Sequence, residues 1–322
     1  LASSAASDVY KRQLIGHIDT VAFGEGWETD PLTPTVIGDR TYARGAMDMK
    51  GGDTAILETL EYFTQHKDEF TGEIIAAFVA DEEVLSRGTY QLASEGLTAD
   101  WAIMAECRFD NIAVGFRGRY TIDVTVHGKA VHTKYYPEEG ENAIITAGKL
   151  AAEIEKLPTL QHPKLKHGTW CIRHIEGGNP NALIVPDSCY MLVERFTVPG
   201  ESYETCEKQL KDLVKKMGIE DKVDIRLRPR DLPYMEPFSI PEDMDLVQTI
   251  RGHYKDVVGE DLPCAYDLSV CDSNILAGSL GIPTVTFGPS GGNMHMANEY
   301  GYLSHVLACK EIYIRTVKDM MK

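Results

Sequence analysis

No apolar stretch in this sequence approaches the ~18–20 residues that span a bilayer; "IIAAFVA" is typical of the longest. Basic residues are scarce, with 32 Lys and Arg against 49 Asp and Glu and a net charge of −17. A surface of that sign argues against nucleic acid or an anionic membrane as a partner. The seven cysteines form no CxxC pair, are odd in number and are widely scattered. They read as free thiols of a reducing compartment, which argues against a secreted disulfide scaffold. The first residues hold no apolar signal-peptide core, so a cytoplasmic location is expected. Internal repeats and low-complexity tracts are absent too.

The 322 residues suffice for one large or two ordinary domains. From "LIGHIDTV" onward strands and helices alternate. A helical spacing of Ile56, Leu57, Leu60 and Phe63 is followed by the continuous apolar run 73–80 and the strand "WAIMAE". The run 73–80 reads as a strand buried on both faces, and the alternation implies a mostly parallel sheet flanked by helices. Near Gly118 the texture changes to apolar–polar alternation in "YTIDVTVHG", "TWCIRHIEGG", "SCYMLVERFT" and "KVDIRLRP", interleaved with helices over 142–157 and 202–218. That order, strand-helix-strand-strand-helix-strand, is ferredoxin-like α+β. The expected organisation is therefore an α/β catalytic domain over 13–116 and 231–322, with an inserted domain over 117–230.

Several residues suited to metal chemistry sit at the ends of predicted strands or in turns beside them, where open α/β sheets bind ligands. His17 and Asp19 are i and i+2 on one strand, so their side chains share a side and Asp19 can orient the His17 ring. Asp48 lies in "RGAMDMKGG", which leads into a helix; a helix-capping role is the plain alternative. Glu82 and Glu83 follow the strand 73–80, Glu106 ends "WAIMAE", and His295 lies in "FGPSGGNMHMANEY". Each residue alone has an ordinary reading as a loop charge or a structural histidine. Their joint placement is what points to a site.

Together "GHIDTV", "RGAMDMKGG", "ADEE", "AECR", "HGKAVHT" and "FGPSGGNMHMANE" resemble, in order, the motifs of the co-catalytic di-zinc metallopeptidases and amidohydrolases. That family includes glutamate carboxypeptidases, aminoacylase, acetylornithine deacetylase and succinyl-diaminopimelate desuccinylase. The resemblance implies a phosphorylase/hydrolase-like catalytic fold with the inserted domain acting as lid and dimerisation surface. It implies two zinc ions per subunit, with cobalt or manganese as substitutes, bridged by Asp48. His17 and Glu106 would complete one site, and Glu83 and His295 the other. Glu82 would be the general base, oriented on an extended segment opposite to Glu83, and His132 a donor to the oxyanion. Asp19, Asp272 and Glu299 resemble supporting positions.

The implied activity is hydrolysis of amide bonds in N-acyl amino acids or small peptides. Asn181, Arg195 and Gly291 are the candidates for substrate contact, beside the Gly177–Gly178 segment. The family pattern places an Arg where this chain has Phe196, with Arg195 one residue earlier, and on a strand such a shift turns the side chain to the opposite face. A carbamoyl or ureide substrate is the alternative enzyme reading, and an inactive truncated remnant the non-enzyme one. Relatives carry several dozen residues before the HxD strand. Leu1–Arg12 reads as a non-native leader in front of a domain entered midway. A chain of that kind is expected to expose apolar surface and to be poorly soluble or weakly active.

Overall fold

The first apolar runs of the chain pair as parallel strands. In the computed structural model, which describes residues 11–321, Lys11–His17 lies between Glu73–Val79 and Trp101–Met104, parallel to both. Thr284–Thr286 adds to the far side of Trp101–Met104, also in parallel. Beyond it Ile112–Phe116 runs antiparallel, and Cys264–Asp267 pairs with that strand in parallel. The fold class is thus α/β with a mostly parallel sheet. The expected strand over 73–80 is present, but as the edge strand among the described residues, and Phe78 is 36% exposed. Its continuous apolar run therefore overstated its burial. Of the expected leader, residues 1–10 lie outside the described residues. Lys11 and Arg12 begin the first strand, where the Arg12 guanidinium meets Asp100.

Helix spacing explains the flanking layers. Lys50–Gln65 buries Ala55, Ile56, Thr59 and Phe63, and Leu303–Met320 buries Cys309, Ile312, Tyr313, Thr316 and Val317. These positions recur every three to four residues and form one apolar stripe on each helix. Helices 50–65 and 245–258 both pack on helix 303–320. A second, small antiparallel sheet joins Thr35–Ile37, Arg40–Tyr42, Tyr300–Tyr302 and Gly291–Gly292. It ties the segment before Asp48 to the loop that carries His295.

The other unit is Arg117–Phe238, with the first unit resuming at Ser239. Its antiparallel sheet runs in the order Thr169–Gly177, Ser188–Thr197, Gly118–His127, Val223–Leu227. With helices Ala143–Ile154 and Tyr203–Lys216 between the strands, this is the ferredoxin-like order. Alternate residues Ile122, Val124 and Val126 bury against Ala147, Leu150, Leu210 and Val214. The boundary falls at 238 rather than 230 because the intervening residues hold to this unit. Arg119 N–H donates to the Met235 carbonyl at 2.9 Å, and the Tyr234 and Tyr120 hydroxyls donate to Thr121 and Glu236.

After Val79 the chain reverses through Ala80–Ser86, with Asp81 and Ser86 in left-handed conformations (φ 73° and 60°). The turn closes where Gly88 N–H donates to the Ala80 carbonyl at 3.0 Å. A Cβ at Gly88 would lie 2.6 Å from the Ala80 nitrogen and 2.8 Å from its oxygen, so only glycine permits this approach. Gly88→Ala is expected to destabilise the protein by about 1–3 kcal/mol. Thermal unfolding would register the change as a lowered Tm, and an unchanged Tm would count against the close packing described.

Candidate metal centre

The parallel strands deliver their carboxyl ends to one edge of the sheet. His17 is the last residue of its strand, and Glu106 lies two residues past Met104. Glu82 and Glu83 occupy the turn after Val79, and His295 lies in the loop after Thr286, at a φ of 60°. Asp48 enters from the segment before helix Lys50–Gln65. Met49 occupies the N-cap position of that helix, and Asp48 does not cap it. Glu82 and Glu83 sit in a hydrogen-bonded turn, since Asp81 accepts from Leu85 N–H at 3.0 Å. The strand alternation expected to separate their side chains therefore does not apply. Both nonetheless line one pocket of about 450 Å³ together with Asp48, Glu106 and His295.

Two ligand clusters share one carboxylate. The candidate ligand atoms of His17, Asp48 and Glu106 lie within 4.8 Å of one another, as do those of Asp48, Glu83 and His295. His17 Nε2 is 3.2 Å from Asp48 Oδ1 and 3.3 Å from Glu106 Oε1. His295 Nε2 is 3.0 Å from Asp48 Oδ2 and 3.1 Å from Glu83 Oε2. Asp48 thus turns one oxygen to each cluster. His17 Nδ1 lies 3.0 Å from the Asp19 main-chain carbonyl. A proton at Nδ1 satisfies that carbonyl and leaves the Nε2 lone pair aimed into the cluster, as a ligating imidazole requires.

Electrostatics favour a cation at both positions. Burial by itself lowers the basicity of His17, yet the hydrogen bonds and charges of Asp48 and Glu106 outweigh it and push the imidazole up to about 12. Glu82 is pushed up to about 9, first by burial and then by the charges of Glu106 and Asp272. Glu83 is raised by burial and by Asp48. Carboxylates crowded this closely repel one another unless positive charge lies between them. Imidazole and carboxylate donors without thiolates form the set that suits a hard-to-borderline divalent ion, so the residues present fit the implied metals.

The surrounding residues explain how this crowd is held. Asp19 does more than orient His17: its two carboxylate oxygens accept the N–H groups of Glu82 and Glu83, each at 3.3 Å. Glu299, fully buried, accepts from Met47 N–H at 2.9 Å and Asp48 N–H at 3.1 Å, and its other oxygen pairs with Arg44. Arg44 escaped the sequence reading, although its position in the same turn as Asp48 was a usable signal. Asp272 is 1% exposed and accepts from the Thr89 hydroxyl, tying the helix after the Glu82–Glu83 turn to the loop at 272. Burial raises Asp272 to about 6. Cys107, Arg108 and Met294 also line the pocket; they lie within "AECR" and "FGPSGGNMHMANE", beside Glu106 and His295, but were not among the residues singled out there.

The remaining candidates stand elsewhere. His132 and Asn181 lie exposed in the inserted unit. His132 Nδ1 accepts Lys134 N–H at 3.2 Å, and Asn181 N–H donates to the Asn179 side chain. Arg195 is a correction. It is 0% exposed on the core face of its strand, paired with Glu201 and donating to the Phe196 carbonyl at 2.7 Å, with Trp170 under its guanidinium. A side chain so enclosed is a structural tie of the inserted unit and presents nothing to a ligand. Gly291 is glycine for a packing reason, since a Cβ there would collide with the Tyr300 carbonyl.

The chain is similar to known proteins over nearly all of its length. Succinyl-diaminopimelate desuccinylase of Nitrosomonas eutropha is 26% identical over 320 residues, covering 95% of this chain and 82% of that protein. Among solved structures, aminopeptidase PepT of Bacillus cereus superposes with a TM-score of 0.77 at 21% identity, covering 100% of this chain and 83% of that one. Bacillus subtilis YxeP, described as a dinuclear metal binding peptidase, gives a TM-score of 0.72 at 14% identity over 98% of this chain and 82% of its own. These two likenesses speak for the fold. Residues 14–319 match the sequence model of peptidase family M20/M25/M40, and the chain belongs to that family.

Proposed function

We propose that this member of the family is a two-metal hydrolase of amide bonds in N-acyl amino acids or small peptides. The observation that carries the reading is the Asp48 carboxylate, with Oδ1 facing His17 and Glu106 and Oδ2 facing His295 and Glu83. These five residues would hold the ions, zinc by preference and cobalt or manganese as substitutes. Bound there, two ions supply acidification of a water and polarisation of the scissile carbonyl.

The chain's own groups account for the rest. Glu82 lines the pocket beside this cluster and belongs to neither ligand group. Burial makes it a stronger base than an ordinary glutamate. It takes a proton from the attacking water and delivers it to the leaving amine. Asp19 keeps Glu82 and Glu83 in place through their N–H groups. His132 is the donor assigned to the oxyanion. With Nδ1 accepting from Lys134, its Nε2 carries the ring proton. A homodimer through the inserted unit and a cytoplasmic location complete the proposal, the latter on seven cysteines that are all free.

Three measurements test this reading. Chelation should abolish hydrolysis of an N-acyl amino acid and dipeptide panel, and zinc, cobalt or manganese should restore it. Elemental analysis should find two ions per chain, both lost in Asp48→Ala. A metal-replete protein inactive on the panel, with N-carbamoyl substrates included, would defeat the proposal. In Glu82→Gln both ions should remain while kcat falls by about 10²–10⁴-fold. Retained turnover in that variant would remove Glu82 from its role.

A further inference from the structure

The pocket is walled by acid: Asp48, Glu82, Glu83, Glu106 and Asp267 all line it. Among the described lining residues Arg108 is the one Lys or Arg. It stands two positions past Glu106, and the local backbone is tight, with Arg108 N–H donating to the Glu106 carbonyl at 2.6 Å and Gly288 N–H to the Arg108 carbonyl at 3.2 Å. Its guanidinium is anchored along one edge. Nη2 pairs with Asp267 Oδ2, and Nη1 donates to Asn111 Oδ1 at 3.2 Å. The Phe116 ring lies 5.7 Å from the guanidinium carbon. Asp267 is fixed in turn, because its Oδ1 accepts both the N–H and the hydroxyl of Ser269 at 2.8 Å.

This anchoring uses only part of what the side chain offers. A guanidinium has five N–H donors in a rigid fork, and two of them account for the contacts just named. The side chain remains 26% exposed on the pocket wall. A cation held still before a ligand arrives loses little freedom on binding, so its charge-assisted hydrogen bonds count more fully toward affinity. Arg195, the other arginine considered for such a role, is enclosed within the inserted unit.

We propose that Arg108 is a specificity-determining residue that receives a carboxylate of the substrate, so that this hydrolase selects amides bearing such a group. The proposal rests on the hydrolase reading above. The carboxylate has two possible sources: the far end of a dicarboxylic acyl group, or the α-carboxylate of the released amino acid. Both present the planar, bidentate acceptor that the guanidinium fork matches.

Three amides separate the sources: N-acetylalanine, N-succinylalaninamide and N-acetylalaninamide, which has no carboxylate. In the metal-loaded protein, Arg108→Met should raise KM for one of the first two by about 10- to 100-fold. It should leave KM for N-acetylalaninamide within about twofold, and kcat for all three should change less than KM. Arg108→Lys, which keeps the charge but not the fork, should fall between. Calorimetric titration with succinate and with alanine gives a readout independent of turnover, and the Arg108-dependent product should bind correspondingly more weakly to Arg108→Met. Equal KM increases on charged and uncharged amides, or equal binding of both products to wild type and variant, would overturn the proposal. If no amide is hydrolysed the hydrolase reading fails, and the titrations still decide Arg108: weaker binding in Arg108→Met sustains its role, while equal or absent binding ends it. If Arg108→Met does not fold, the same comparisons in Arg108→Lys decide, with unchanged KM and binding counting against the proposal.

Discussion

A carboxylate that faces two ways, Asp48, sets the terms for the structure around it. Turning Oδ1 to His17 and Oδ2 to His295 leaves no tolerance for rotation, and the side chain is only 10% exposed. Its segment is held through the main chain, by the Glu299 oxygen that accepts from Met47 and Asp48. Glu299 is a fully buried carboxylate, and Arg44 is the cation paired with it. Such a buried pair adds little net stability, because desolvation offsets most of its attraction, but removing one member leaves the other uncompensated. What the pair contributes is position. The small sheet has the same purpose: Tyr300–Tyr302 follows Glu299 and pairs with Arg40–Tyr42, just ahead of Arg44. One strand pairing thus brings the two ends of this arrangement together.

The main sheet supplies the rest through its direction. Parallel strands present all their carboxyl ends at one edge, so side chains remote in sequence meet there without any long excursion of the chain. The strand interiors are apolar, with Leu14, Ile15, Ile103 and Met104 at most 1% exposed, and the charged groups are confined to the tips. The arrangement separates the work of folding from the work of the site. The core strands bury apolar surface, while the loops carry an acidic crowd that bound cations would relieve. Asp19 joins the two, since it follows a core strand and its carboxylate fixes the turn that bears Glu82 and Glu83.

Much of this is legible in the sequence. Apolar periodicity marked the long helices and the strands of both units, because burial imposes a period on them. The metal-ligand candidates stood out as ionisable residues just beyond predicted strands. The small sheet was not visible, since strands of two or three residues are too short to carry a period. The Glu82–Glu83 turn was misjudged for a related reason. Its geometry depends on left-handed Asp81 and Ser86 and on the close approach at Gly88, and none of these shows in an apolar pattern. The late boundary at 238 depends on side chains such as Tyr120, whose hydroxyl reaches Glu236 across most of the inserted unit's sequence.

Arg195 shows how a strand's two-residue period decides function. It lies on the face that carries Met191 and Val193, both buried in the core of the inserted unit. A guanidinium in that position has to be satisfied internally, which Glu201 and the Phe196 carbonyl do, with Trp170 beneath. Glu201 also accepts from Val198 and Leu160 N–H groups, so the pair fastens the turn into helix Tyr203–Lys216. Phe196, on the opposite face, has no charge to offer. The same residue type at position 108 is instead set at a pocket wall, its side chain 26% exposed and held through two of its five N–H donors. Charge alone does not distinguish these two arginines; what each has already bonded to does.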